Sequence, residues 1–270
     1  MSRAAVGIFD SGIGGLTVAA AIRSLLPNES TVYIGDTARV PYGPKSPDTV
    51  RRYAREILDW LLQQDVKAIV VACNTVSAHA LDDLRSRSPV PVIGVIEPGA
   101  RAAAHATVNN HVGVIGTAGT IASGAYRLAL QHIRPALRVV EAACPLFVPL
   151  VEEGWFDHDA TRLVAEEYLR PLRGHGIDVL VLGCTHYPML KPLLRQVMGP
   201  DVQLIDSAEA TAAELARVLN EMGLSAASGT TPVQRWVATD DPARFAKVGA
   251  VFMGGSPAPV ELAELGKLDA

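Results

Sequence analysis

Two of the three cysteines sit in matching surroundings. Cys73 follows Ala68-Ile69-Val70-Val71-Ala72 and precedes Asn74-Thr75, while Cys184 follows Val179-Leu180-Val181-Leu182-Gly183 and precedes Thr185-His186. The two blocks lie 184 − 73 = 111 positions apart. Each apolar run has the look of a buried strand, and a helical pattern follows each cysteine, so each thiol is expected at the carboxyl end of a parallel strand entering a helix. Ligands bind along that edge in open α/β sheets. The dipole of the following helix favours the thiolate, which predicts a pKa below the free-thiol value of ~8.5. One such cysteine alone would be taken for a small buried hydrophobe. Two at repeat-equivalent positions, each beside amide, hydroxyl or imidazole side chains, point to thiol chemistry. Cys144, in Ala142-Ala143-Cys144-Pro145, has no polar neighbour and no counterpart, and is expected to pack.

Other uses of these cysteines fit less well. They lack the short spacing of zinc ligands, so no metal is expected. A Cys–His hydrolase would recruit His186, but residues this close in sequence rarely face one another, and the second cysteine would have no role. Asp10-Ser11-Gly12-Ile13-Gly14-Gly15 follows the first apolar run. Its rival reading is a dinucleotide-binding turn, with Asp36 at the end of the next strand as the ribose-binding acid. Against that, Thr17 replaces the third glycine of the fingerprint, and Asp10 stands where phosphates would lie. Asp10 and Ser11 are instead expected to meet an amine and a carboxylate. Pro41-Tyr42-Gly43 is expected to turn backbone amides toward the same pocket, and His186 and Glu152 are candidates for tuning the thiols.

The elements that would position these residues alternate along the chain. Buried strands are expected at 6–9, 32–34, 68–71, 92–96, 112–115, 138–140, 179–182 and 204–205. A helix is expected over 48–64, with Val50, Tyr53, Ile57 and Leu61 on one stripe and Pro47 at its start. Val6-Gly7-Ile8-Phe9-Asp10-Ser11 also matches Val112-Gly113-Val114-Ile115-Gly116-Thr117, 112 − 6 = 106 positions on. Two related blocks in the same order imply an α/β fold of two pseudo-symmetric domains with mainly parallel sheets. The first is drawn at 1–97 and the second at 98–207. The remaining segment opens with a helix over 208–222, passes a Ser/Gly/Thr-rich loop to 232, adds a strand at 235–239, and is expected to return to the first domain, giving it 208–270 as well.

The 270 residues are 49% hydrophobic and 19% charged, ample for a full core, with a net charge of −4 and no basic run. Nucleic acid and an anionic membrane surface are therefore not expected as partners. No apolar run reaches the ~20 residues a membrane helix needs. Met1 to Val6 lacks the apolar stretch of a signal peptide, and the odd cysteine count suits a reducing compartment, so a cytoplasmic protein is expected.

Taken together, Asp10-Ser11-Gly12-Ile13-Gly14-Gly15, Pro41-Tyr42-Gly43, Cys73-Asn74-Thr75 and Cys184-Thr185-His186 resemble the glutamate racemase family in order and spacing. Gly116-Thr117, Cys144-Pro145 and Glu152 resemble it too. The resemblance implies an isomerase that interconverts L- and D-glutamate for peptidoglycan synthesis, without pyridoxal phosphate, metal or nucleotide. It implies that Cys73 and Cys184 donate and accept the α-proton across a cleft between the domains, Cys73 on the D face and Cys184 on the L face. It further implies a substrate pocket of Asp10, Ser11, Tyr42, Gly43, Asn74, Thr75, Thr185 and His186. Asp10, Glu152 and His186 would assist the thiols; Thr117 has no stated role. A homodimer is the expected assembly. A racemase of another acidic amino acid such as aspartate, or a nucleotide- or metabolite-binding module, stand as the alternatives.

Overall fold

The computed structural model describes residues 4–255 and 259–266. Strands and helices alternate: β1 (Ala5–Asp10), α1 (Leu16–Leu25), β2 (Thr31–Gly35), α2 (Pro47–Leu62), β3 (Val66–Val71), α3 (Asn74–Arg87), β4 (Val92–Gly94) and α4 (Ile96–Ala106). They continue as β5 (His111–Gly116), α5 (Ala118–Ser123), α6 (Ala125–Ile133), β6 (Arg138–Ala143), α7 (Phe147–Glu152), α8 (Asp159–Arg173), β7 (Val179–Gly183) and α9 (Lys191–Met198). β8 (Gln203–Asp206), α10 (Ala208–Glu221), β9 (Gln234–Ala238), α11 (Pro242–Met253) and β10 (Val260–Leu262) complete them.

Two sheets form, ordered β10-β9-β2-β1-β3-β4 and β6-β5-β7-β8, with parallel pairing throughout. In each, the first strand of the repeat has beside it the strand that leads to the cysteine. The register repeats as well. Val6 pairs Ala68 in the first sheet, and Val112 pairs Val179 in the second, which are the same two positions carried forward by the two offsets. β9 adds to the outer side of β2, with Thr31 opposite Gln234 and Gly35 opposite Ala238.

Side chains alternate between the two faces of each sheet, and both faces are covered. Val6 and Ile8 of β1 join α1, α10, and Leu180 and Leu182 of β7 in one apolar cluster that runs through both sheets. Phe9, Val32, Ile69 and Val71 face the other way, onto α2 and α3, and Val112, Val114, Val179 and Val181 face α4 and α6. The strand expected at 92–96 is shorter than its apolar run, because α4 already starts at Ile96. α2 begins as expected, with Pro47 in its first turn and Ser46 Oγ accepting from the Thr49 amide at 3.4 Å. No described helix is long and apolar enough to cross a membrane.

Candidate active site

Between the carboxyl ends of the two sheets lies a cavity of about 340 Å³ whose wall includes both Cys73 and Cys184. Ser11, Tyr42, Gly43, Asn74, Thr75, Thr185 and His186 also line it, as do Val40, Thr117, Pro145, Val148, Pro149 and Glu152. No lysine or arginine stands among the described residues of the wall. Of the ten residues expected at the site, Asp10 alone is off it.

The first half is built where β1 and β3 end side by side. Cys73 caps the N-terminus of α3, its carbonyl accepting from Ser77 N at 2.9 Å. The thiol lies 3.6 Å from Ser11 Oγ. Asp10 stands behind it, buried, with Oδ2 accepting from Gly12 N at 3.0 Å and Oδ1 left without a partner. Burial, and then the charge of Asp10, push the Cys73 thiol up to about 12, against the pull of the Val76 and Ser11 amides. The lowered pKa expected from the helix dipole is therefore corrected: desolvation outweighs the helix N-terminus here. Burial also raises Asp10, opposed by His186 and three backbone amides.

The second half starts from the same strand end but departs in detail. After Cys184 the chain enters a short 3₁₀ turn, Tyr187–Leu190, and only then α9, so no α-helix begins at this thiol. That turn brings His186 back over the cysteine, with Nδ1 3.9 Å from Sγ. The expectation that these neighbours do not face each other fails for this reason. His186 Nε2 meets Glu152 Oε1 at 3.1 Å, and Phe252 packs edge-on against the ring. Burial lowers the imidazole, but Cys184 and Glu152 outweigh it and, with Asp10, lift His186 to about 10. A protonated imidazole thus faces the second thiol. Burial would raise Glu152, yet His186 and Arg244 hold it below the ordinary carboxylate range.

The two halves are tied across the cavity. Thr75 Oγ1 lies 2.9 Å from Thr117 Oγ1 and 3.3 Å from Thr120 Oγ1, and Gly119 N donates to Gly43 O at 2.9 Å. Tyr126 on α6 donates to Asn74 Oδ1 at 2.7 Å. The glycine turn after β1 is a third contact. A Cβ on Gly14 would sit 2.4 Å from both His186 Nδ1 and Thr185 Oγ1, so the second half packs directly on this turn. The space a dinucleotide's phosphates would need is filled by those side chains. Asp36 is equally occupied, accepting from Tyr42 Oη, from Arg39 Nε at 2.7 Å and from Thr239 Oγ1 at 2.9 Å. The dinucleotide reading is thereby overturned, and the Tyr42 hydroxyl is taken up by Asp36.

Cys144 is fully buried off the cavity wall, its thiol donating to Ala142 O at 3.7 Å. Sequence reasoning missed Val148 and Pro149 in the wall, and Thr120 and Tyr126 behind it. These carry no motif, and their contacts reach across tens of residues; only Thr117, at the repeat position of Ser11, left a trace.

The Asp/Glu/Hydantoin racemase family model matches residues 16–215. The glutamate racemase of Syntrophus aciditrophicus is 52% identical over 260 residues, covering 96% of each chain. A solved glutamate racemase isoform of Bacillus anthracis superposes with a TM-score of 0.94 at 40% identity, over 98% of both chains. One from Francisella tularensis, solved in complex with D-glutamate, gives 0.91 at 39% identity over 98% of both. These likenesses span the two sheets and the cavity between them, and the chain belongs to the Asp/Glu/Hydantoin racemase family, with the glutamate racemases.

Proposed function

We propose that this racemase interconverts L- and D-glutamate by a two-thiol mechanism in the cleft between two domains, 1–97 with 208–270 and 98–207. The observation that carries it is the pair of repeat-related cysteines on one cavity wall. Racemisation removes a proton from one face of Cα and delivers another to the opposite face. Two bases from two pseudo-symmetric halves meet that demand.

The unequal surroundings of the thiols support a direction for the first turnover. Burial and Asp10 keep Cys73 as a thiol, the form that delivers a proton, while Cys184 has the His186 imidazole 3.9 Å from its sulfur. Cys184 takes the α-proton of L-glutamate, leaving a carbanion, and Cys73 gives its proton to the other face. D-glutamate leaves, and the enzyme holds a Cys184 thiol and a Cys73 thiolate. It then either runs the reverse reaction or exchanges protons with solvent. The likeness to the glutamate racemases, rather than the surroundings of the thiols, is what supports Cys73 on the D face and Cys184 on the L face.

A thiolate is a much weaker base than the carbanion it generates, so the site has to stabilise the carbanion with fixed donors and exclude water. In a wall without lysine or arginine, the hydroxyls of Ser11, Thr75 and Thr185 and the Asn74 amide take the two carboxylates, with Tyr42, Gly43 and Thr117 shaping the pocket. His186, Glu152 and Asp10 set the charge of the thiols. No cofactor takes part, and the product supplies peptidoglycan synthesis. The proposal includes a cytoplasmic setting, which suits three free cysteines, and a homodimer, which the mass in solution checks.

Polarimetry on L-glutamate, with protein dialysed against EDTA and no additive, tests the proposal. Decay of rotation to zero is expected. Inertness toward glutamate with turnover of aspartate would move the substrate assignment; activity that returned only with pyridoxal phosphate or zinc would end the two-thiol mechanism.

A further inference from the structure

We infer that Tyr126 is a positioning residue for substrate: reaching from α6 into the other half of the molecule, its hydroxyl fixes the carboxamide of Asn74 so that the amide nitrogen points into the cavity. The inference rests on the reading of that cavity as the glutamate site.

Asn74 follows Cys73, lines the cavity, and is only 3% exposed. Its two amide atoms differ sharply in what they meet. Oδ1 accepts from the Tyr126 hydroxyl at 2.7 Å, while Nδ2 is buried with no partner in the protein. A buried donor left empty is costly, and natural structures keep few of them. A carboxylate oxygen of the substrate is the acceptor that Nδ2 lacks. Turned over, the same carboxamide would present its oxygen to that carboxylate and repel it.

Tyr126 is built to prevent the turn. It is 1% exposed, and its ring is held in a slot with glycine backbone at its edges. A Cβ on Gly183 would come within 3.0 Å of Tyr126 Cε2, and one on Gly99 within 3.4 Å of the hydroxyl. Ser207, the residue before α10, stands beside it: the same Cβ on Gly99 would meet Ser207 Cβ at 3.1 Å. The phenol's proton goes to Asn74 Oδ1, and the donors run from Tyr126 through Asn74 toward the cavity. Burial also keeps the phenol protonated, by raising its pKa far above neutrality. Tyr126 touches neither reacting atoms nor substrate; it acts through Asn74.

The test is a double-mutant cycle on L-glutamate turnover, with kcat, KM and Tm measured for wild type, Tyr126→Phe, Asn74→Ala and the double variant. Tyr126→Phe should lower kcat/KM about 5-fold, the scale of one neutral hydrogen bond. Asn74→Ala should lower it about 30-fold, as for a hydrogen bond to a charged group. The double variant should match Asn74→Ala within about twofold, since Tyr126 has nothing to act on once the carboxamide is gone. Multiplying losses, or a Tyr126→Phe variant with wild-type kcat/KM, would overturn the inference alone. An undiminished Asn74→Ala would overturn the substrate role of Asn74 and this inference together, and a wild type inert toward glutamate would overturn the proposed function beneath both. Should Tyr126→Phe fail to fold, Asn74→Asp answers the same question: it keeps an oxygen for Tyr126 but turns a second oxygen on the carboxylate. Its KM should rise more than 10-fold at little change in Tm, and retained affinity would overturn the aiming of Nδ2.

Discussion

Cys73 and Cys184 hold the same place in the repeat, yet their neighbours differ. Cys73 has a carboxylate behind it and an α-helix ahead; Cys184 has an imidazole and a 3₁₀ turn. Replacing either with Ala should abolish racemisation at a stability cost of about 1 kcal/mol, whereas Cys144→Ala should keep its activity; near wild-type turnover in either of the first two would contradict the two-thiol reading. The charge state of His186 makes a second prediction. Its folded pKa of about 10 lies above the unfolded value of ~6.5. Its contribution to stability is therefore complete below pH ~6.5 and lost as pH rises through about 10. Cys73, at about 12, acts in the same sense above the pH where an unfolded thiol ionises. Tm should fall between pH 7 and 10, and His186→Asn, which leaves Cys184, Glu152 and Asp10 without the cation, should start lower and decline less; equal slopes would contradict the assignment. The motif residues at the site were legible in the sequence because they follow strand ends in order. The thiol pKa was not, because a helix N-terminus is visible in local sequence and the depth of burial is not.

At the scale of elements, the glycine turn between β1 and α1 packs directly against the second half. Gly14→Ala forces a methyl group to within 2.4 Å of His186 Nδ1 and Thr185 Oγ1, so those side chains have to move. Activity should fall at least about 100-fold, as misplacing catalytic groups by about 1 Å does, while the turn's own fold survives; a crystal structure showing His186 in place with full activity would contradict the packing described. The strands were legible since strands buried on both faces form continuous apolar runs. Where a run crosses from β4 into α4 its boundary was lost, because Val95 and Ile96 are apolar in either state. β10 was missed: three residues at a sheet edge, two of them exposed, carry no pattern. α11, α7 and their contacts with His186 and Glu152 were also missed, since α7 is a single short helix with Pro149 inside it.

In the whole molecule, the repeat is the organising fact. Equal strand order and equal register around β1 and β5 put two thiols at corresponding strand ends, and the apolar cluster shared by both sheets holds those ends toward one cavity. The tail extends the first sheet by β9 and β10, and a buried ion pair, Lys67 with Glu29, also binds Leu224 O and Ala226 N on the way back. The repeat was read from two short blocks of sequence; the inter-half ties through Thr117, Thr120, Gly119 and Tyr126 were not, because they exist only once the halves have met. The central claim is that the proton leaving one face of Cα and the proton arriving on the other belong to different residues. Its most direct test is the conversion of L-glutamate in D₂O, sampled early and read by mass spectrometry on the separated enantiomers. The account predicts D-glutamate carrying deuterium at Cα from the first turnovers, with the remaining L-glutamate gaining label far more slowly. Early D-glutamate that kept the substrate's own protium would mean one base serving both faces, and would contradict it.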